Sequence, residues 1–90
     1  MEAMSTVQPS ELNDVFRANL IRLRTDLGLS QSQLAERLSG ERKVYAPYIC
    51  DIEKGVKMPG LAMLAKLAEV LGVQPKDLLD PNRKKSLIAS

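Results

Sequence analysis

Ninety residues hold one domain with a modest core and leave too little chain for two. Apolar residues make up 44% and aromatics only 3%, a balance of Leu, Ala, Ile and Val that favours helices over strands. With no His and one cysteine, Cys50, the sequence has no internal disulfide and lacks the ligands of a zinc site, and a net charge of +2 means that any contact with a polyanion is local.

No apolar run is long enough to cross a bilayer, so no membrane partner is expected. Residues 1–9 have neither the basic start nor the apolar middle of a secretory leader and show no sustained period. They are expected to form a flexible arm in a cytoplasmic protein. Leu12, Val15, Phe16, Leu20, Leu23 and Leu27 then recur at three- and four-residue steps, predicting a helix over 11–27 stopped by Gly28. Ser30-Gln31-Ser32-Gln33 has the form of a capping box, and Leu34, Ala35 and Leu38 give a short second helix one apolar stripe over 31–38.

Glu41, Arg42 and Lys43 form a charged loop. Pro47 is tolerated only in a first turn, so a third helix is predicted over 46–54, with Ile49 and Ile52 pointing inward and Gly55 at its end. Pro59-Gly60 breaks the chain before a helix over 61–71 that stops at Gly72. Gln74-Pro75 opens a last short helix carrying Leu78 and Leu79, and Pro81-Asn82 closes it. Residues 81–90, with Arg83, Lys84 and Lys85, are expected to be a basic tail.

Three stretches stand in a telling order: Leu23-Arg24-Thr25-Asp26-Leu27-Gly28-Leu29-Ser30-Gln31, Gln33-Leu34-Ala35-Glu36-Arg37-Leu38 and Ile49-Cys50-Asp51-Ile52-Glu53-Lys54-Gly55. Together with Pro59 and the apolar positions from Leu61 to Leu79, they resemble the helix-turn-helix family of Cro and the phage repressors, the XRE type. The resemblance runs from residue 14 to residue 80 and implies an all-α, five-helix lambda-repressor-like bundle whose domain spans 10–80. It implies a partner, double-stranded DNA, and a function, sequence-specific binding by a transcriptional regulator, a repressor of phage, plasmid or host-defence type. The physics agrees with the pattern. A helix fits the major groove of B-DNA, and only its exposed face meets base edges, so helices packed behind must present it.

The resemblance assigns roles by position. Gln31 stands where the family contacts a phosphate, at a helix N-terminus whose free N–H groups favour anions. Tyr45, Ala46, Pro47, Tyr48 and Asp51 lie on the outward face at the start of the recognition helix. Tyr48 is suited to a phosphate or the groove wall, Ala46 and Pro47 to apolar contact with a thymine methyl, and Asp51 to a cytosine amino group; Tyr45 completes the base-reading set. The family's usual readers, Gln, Asn and Arg, are absent from this face. Lys54 and Lys57 fall where the family meets the DNA backbone, which supplies affinity and salt dependence. Arg24 and Glu53 are implied to form an ion pair that sets the pitch of the recognition helix. The loop over 39–44 exceeds the family's tight turn by about four residues, and its Lys43 is a further phosphate candidate beside Arg42.

On a helical wheel of about 100° per residue, Leu61, Leu64, Ala65, Ala68 and Leu71 form one face of the fourth helix, which Met63, Leu67 and Val70 widen beyond the needs of one core. Met63, Val70, Leu78 and Leu79 are therefore candidates for a homodimer interface, with the N-terminal arm or the tail as the other possible cover. Such a dimer would set two recognition helices about 34 Å apart on one side of the duplex. The competing function is a protein-interaction module or antitoxin-like adaptor built on the same body. Catalysis is not expected: without His, no evident pair of groups exists for acid–base work, and no cofactor, metal or small-molecule ligand is called for.

Overall fold

A computed structural model describes residues 9–81, which form five helices and no strand. They are α1 (Pro9–Asp26), α2 (Gln31–Leu38), α3 (Ala46–Lys54), α4 (Leu61–Leu71) and α5 (Pro75–Leu78). The all-α, five-helix expectation holds, and α1 begins two residues earlier than its apolar period suggests. The expected arm and basic tail lie outside the described residues, apart from the joints at Pro9 and Pro81.

α1 buries Phe16, Leu20 and Leu23 along one stripe, while the outermost residues of its sequence pattern, Leu12 and Leu27, stay exposed. The capping box forms as read: the Gln33 N–H donates to Ser30 Oγ at 3.0 Å, and the Ser30 N–H donates to Gln33 Oε1 at 2.8 Å. α3 starts from an extended Tyr45, takes Pro47 in its first turn and stops at Gly55, whose φ of 83° suits only a residue without Cβ.

A helix as short as α3 does not hold itself in water. Ile49 and Ile52 are fully buried against α1 and α2, worth about 1.5–3 kcal/mol each. α3 is thus fastened by its inner face, leaving the outer one open.

α4 is rotated from the expected position. Leu64, Leu67, Ala68 and Leu71 enter the core, whereas Leu61 is 85% exposed and Ala65 also faces out. The buried face is chosen by where α2 and α5 pack against α4, and a wheel alone does not contain that information. Leu78, expected at a dimer interface, is fully buried in the core of its own chain, so its side chain has no surface to offer a second copy. α5 is held from α1: the buried Asn19 Nδ2 donates to the carbonyls of Leu78 at 2.9 Å, Asp80 at 3.1 Å and Asp77 at 3.3 Å. Arg22 Nη2 in turn donates to Asn19 Oδ1 at 2.9 Å.

Candidate nucleic-acid interface

Three elements meet at Glu53. Arg24 Nε donates to Glu53 Oε2 at 2.6 Å and Arg24 Nη2 to Oε1 at 3.1 Å, a two-pronged ion pair whose side chains are only 13% and 7% exposed. Arg24 Nη1 also donates to the Leu29 carbonyl at 2.7 Å, so the guanidinium ties α3 to α1 and to the turn before α2. Gln31 Nε2 donates to Glu53 Oε1 at 2.9 Å. A carboxylate only accepts, which turns the Gln31 amide NH2 toward Glu53 and leaves its second hydrogen for another acceptor. The first N–H groups of α2 have no intrahelical acceptor and lie at the positive end of the helix dipole.

The same C-terminal turn of α3 is braced a second time, one residue on. Arg17 Nη1 donates to the Lys54 carbonyl at 3.2 Å, and Arg17 Nη2 pairs with Asp14 Oδ1 at 3.0 Å. Sequence reading missed Arg17, because its only signal is a basic residue on α1 that meets the Lys54–Gly55 turn in three dimensions. Ahead of both braces, toward the N-terminus of α3, stands its outward face. Tyr45 is 64% exposed, Pro47 is exposed, and Ala46, Tyr48 and Asp51 are half-buried. Tyr48 also packs against the edge of the core, and burial raises its phenol above the usual 10.0, so it remains a donor at neutral pH. Lys57 Nζ lies 3.9 Å from Asp51 Oδ2 and 6.0 Å from the centre of the Tyr48 ring. Both contacts are long and solvated, so Lys57 leaves them for a phosphate at little cost. Lys54 is exposed on the last turn.

The loop over 39–44 has a closed base. The Val44 N–H donates to Ser39 Oγ at 2.9 Å, while the Ser39 hydroxyl is 3.0 Å from the Ala35 carbonyl and 3.2 Å from that of Val44. Beside it runs a groove of about 650 Å³, lined by Arg42 and Lys43 of the loop, Tyr45, Tyr48 and Asp51 of the α3 region, Lys57, and the apolar Val44, Pro47 and Met63.

A helix-turn-helix family model matches residues 20–78, more than half of the sequence. The chain belongs to the helix-turn-helix family of DNA-binding domains. It is 45% identical over 53 residues to control protein C.BamHI of Bacillus amyloliquefaciens, a match that spans 58% of this chain and 65% of that protein, just under two thirds of its length. Its fold is similar to that of a hypothetical transcription factor, NHTF, from Neisseria, with a TM-score of 0.74 at 24% identity over 91% of this chain and 90% of that one.

Within this helix-turn-helix domain, α2 and α3 are the motif's pair, and the candidate contacts fall into two groups. Gln31 stands at the start of α2, whereas Lys43, Tyr45, Tyr48, Asp51 and Lys57 converge on α3 and its groove. Ala46 and Pro47 border a second groove toward Ser32 and Glu36 of α2. The expected interface residues part company. Met63 lies in the groove beside α3, while Val70 and Leu79 are half-buried at the end of α4 and at the C-cap of α5. Among the described residues no group of His, Cys, Asp and Glu is placed to hold a metal, and no helix is long and apolar enough to cross a membrane.

Proposed function

We propose that this protein regulates transcription by binding double-stranded DNA as a homodimer, with α3 entering the major groove. One observation carries the reading: a nine-residue helix anchored through two fully buried isoleucines and braced twice at its C-terminal end, with its outward face left open. Gln31, Lys43, Tyr48, Lys54 and Lys57 hold phosphates and set register, while Tyr45, Ala46, Pro47 and Asp51 meet base edges. Because apolar groups and one carboxylate dominate that edge, thymine methyl and cytosine amino groups are the features it fits. The similarity to a control protein supports a regulatory role. The dimer forms through the end of α4 and α5, where Val70 and Leu79 remain partly exposed. The protein acts in the cytoplasm without cofactor, metal or catalytic step.

Selection from random duplexes, sequenced after binding, tests the reading. A two-fold symmetric consensus with half-sites one helical turn apart is the expected result. Sedimentation with and without that duplex reads the dimer. No enrichment, and no gel shift at low salt, where backbone contacts are strongest, would transfer the open face of α3 to a protein partner.

A further inference from the structure

The inserted loop is built, not loose. Ser39 takes the chain out of α2, and its hydroxyl receives the Val44 N–H on the return, so the six residues from Ser39 to Val44 are drawn into one closed turn. The Gly40 N–H donates to the Arg42 carbonyl at 3.2 Å inside it. Val44 is half-buried against the core, which fixes the loop's exit. Arg42 and Lys43 are held exposed at the rim of the groove, facing Tyr48 and Lys57 across the flank of α3.

The charge in this groove is one-sided. Arg42, Lys43 and Lys57 line it against a single carboxylate, Asp51, which already has Lys57 beside it. Glu41 lies on the other side of the loop, in a smaller recess with Lys66 of α4 that Arg42 also borders. Tyr48 adds a phenolic donor and Val44 and Met63 an apolar floor, while Tyr45 and Pro47, the base-edge residues, border the groove. Cations and a hydroxyl above an apolar floor suit a sugar–phosphate chain, whose charged edge and deoxyribose face differ in the same way. Gln31 does not line the groove, so it marks a separate contact.

We propose that this groove seats the backbone of one DNA strand at the edge of the major groove, and that the inserted loop is its clamp. Arg42 and Lys43 hold a phosphate from one side, and Lys57 and Tyr48 from the other. Ser39 is a positioning residue that sets the loop's reach. The proposal rests on the DNA-binding reading and adds Arg42 and Ser39 to it.

The test uses the full chain and its selected duplex, with affinity measured by fluorescence anisotropy across a salt series. Each of Arg42→Ala and Lys43→Ala lowers the magnitude of the slope of log affinity against log salt by about 0.9 per bound subunit, about 1.8 for the dimer on its two-fold site, and the pair by about 3.6, evenly across sequences. Both side chains are exposed, so thermal melts of these variants match the wild type. Single phosphates are then replaced by neutral methylphosphonate. At one position the loss from replacement and the loss from Arg42→Ala fail to add, because both remove the same contact. Ser39→Ala abolishes that coupling, and Ser39→Thr, which keeps the hydroxyl, retains it. A wild-type slope in the double variant, or strict additivity at every phosphate, overturns the clamp while leaving DNA binding intact. Failure of the wild type to bind any duplex overturns both.

Discussion

Replacing Arg24 with alanine tests the brace that orients α3. The guanidinium makes two bonds to Glu53 and one to the Leu29 carbonyl, all between 2.6 and 3.1 Å. Its loss leaves a carboxylate that is 7% exposed with Gln31 as its remaining hydrogen-bond partner among the described residues. Breaking a pair this buried costs about 3–5 kcal/mol, because one charge stays out of water without its partner. A domain of this size has about 5–13 kcal/mol in total, so roughly a quarter or more of the stability is at stake. Urea unfolding reads it: at an m of roughly 1.5 kcal/mol/M the midpoint falls by about 2–3 M with m unchanged. The double substitution Arg24→Met with Glu53→Leu removes both charges and restores most of the midpoint. A fall of under about 0.5 M for Arg24→Ala is the behaviour of an exposed bridge, and it would refute the claim that this pair holds α3 in place.

Three further outcomes are expected. Gly28 and Gly55 both have positive φ, but a Cβ at Gly28 meets nothing within 4 Å, whereas at Gly55 it lies 2.9 Å from Arg17 Nη1. Gly28→Ala therefore costs about 1–2 kcal/mol of backbone strain alone, and Gly55→Ala costs more because Arg17 has to leave the Lys54 carbonyl. In an Arg17→Ala background thermal melts should show equal costs for the two. Ser30→Ala removes the acceptor for the Gln33 N–H and lowers stability by about 1 kcal/mol, read by urea midpoint. Burial raises the Tyr48 phenol above 10.0, so the unfolded chain loses that proton first as pH rises. Stability from this group is whole below pH 10 and declines above it as pH passes through the folded value. Tyr48→Phe removes that alkaline component, which urea midpoints between pH 8 and pH 11 would detect as a flatter profile than wild type.

Local chemistry made much of the fold legible. Ser30 and Gln33 cap each other, Gly55 stops α3, and Pro47 and Pro75 open helices, because each of these depends on residues within a turn of one another. Ile49 and Ile52 were readable as the inner face of α3 from spacing alone, and the outer face followed. What depends on distant chain was hidden. The rotation of α4, which buries Leu67 and exposes Leu61, is set by α2 and α5. The same packing removes Leu78 from the surface and places Met63 beside α3, away from Leu79. Asn19 reads as a polar break in an apolar stripe until α5 supplies the carbonyls it serves. The Arg24–Glu53 pair came from family resemblance, since nothing in the spacing of positions 24 and 53 brings them together.

The Asn19 carboxamide has a consequence for how the domain comes apart. A four-residue helix has no persistence of its own, so α5 lasts only while α1 keeps a donor under its closing carbonyls. Fraying that reaches Asn19 unlatches the opposite end of the fold in the same event, and Leu78 loses its seat with it. First and last helices thus open together as one unit, and whatever docks on the end of this bundle also steadies its beginning.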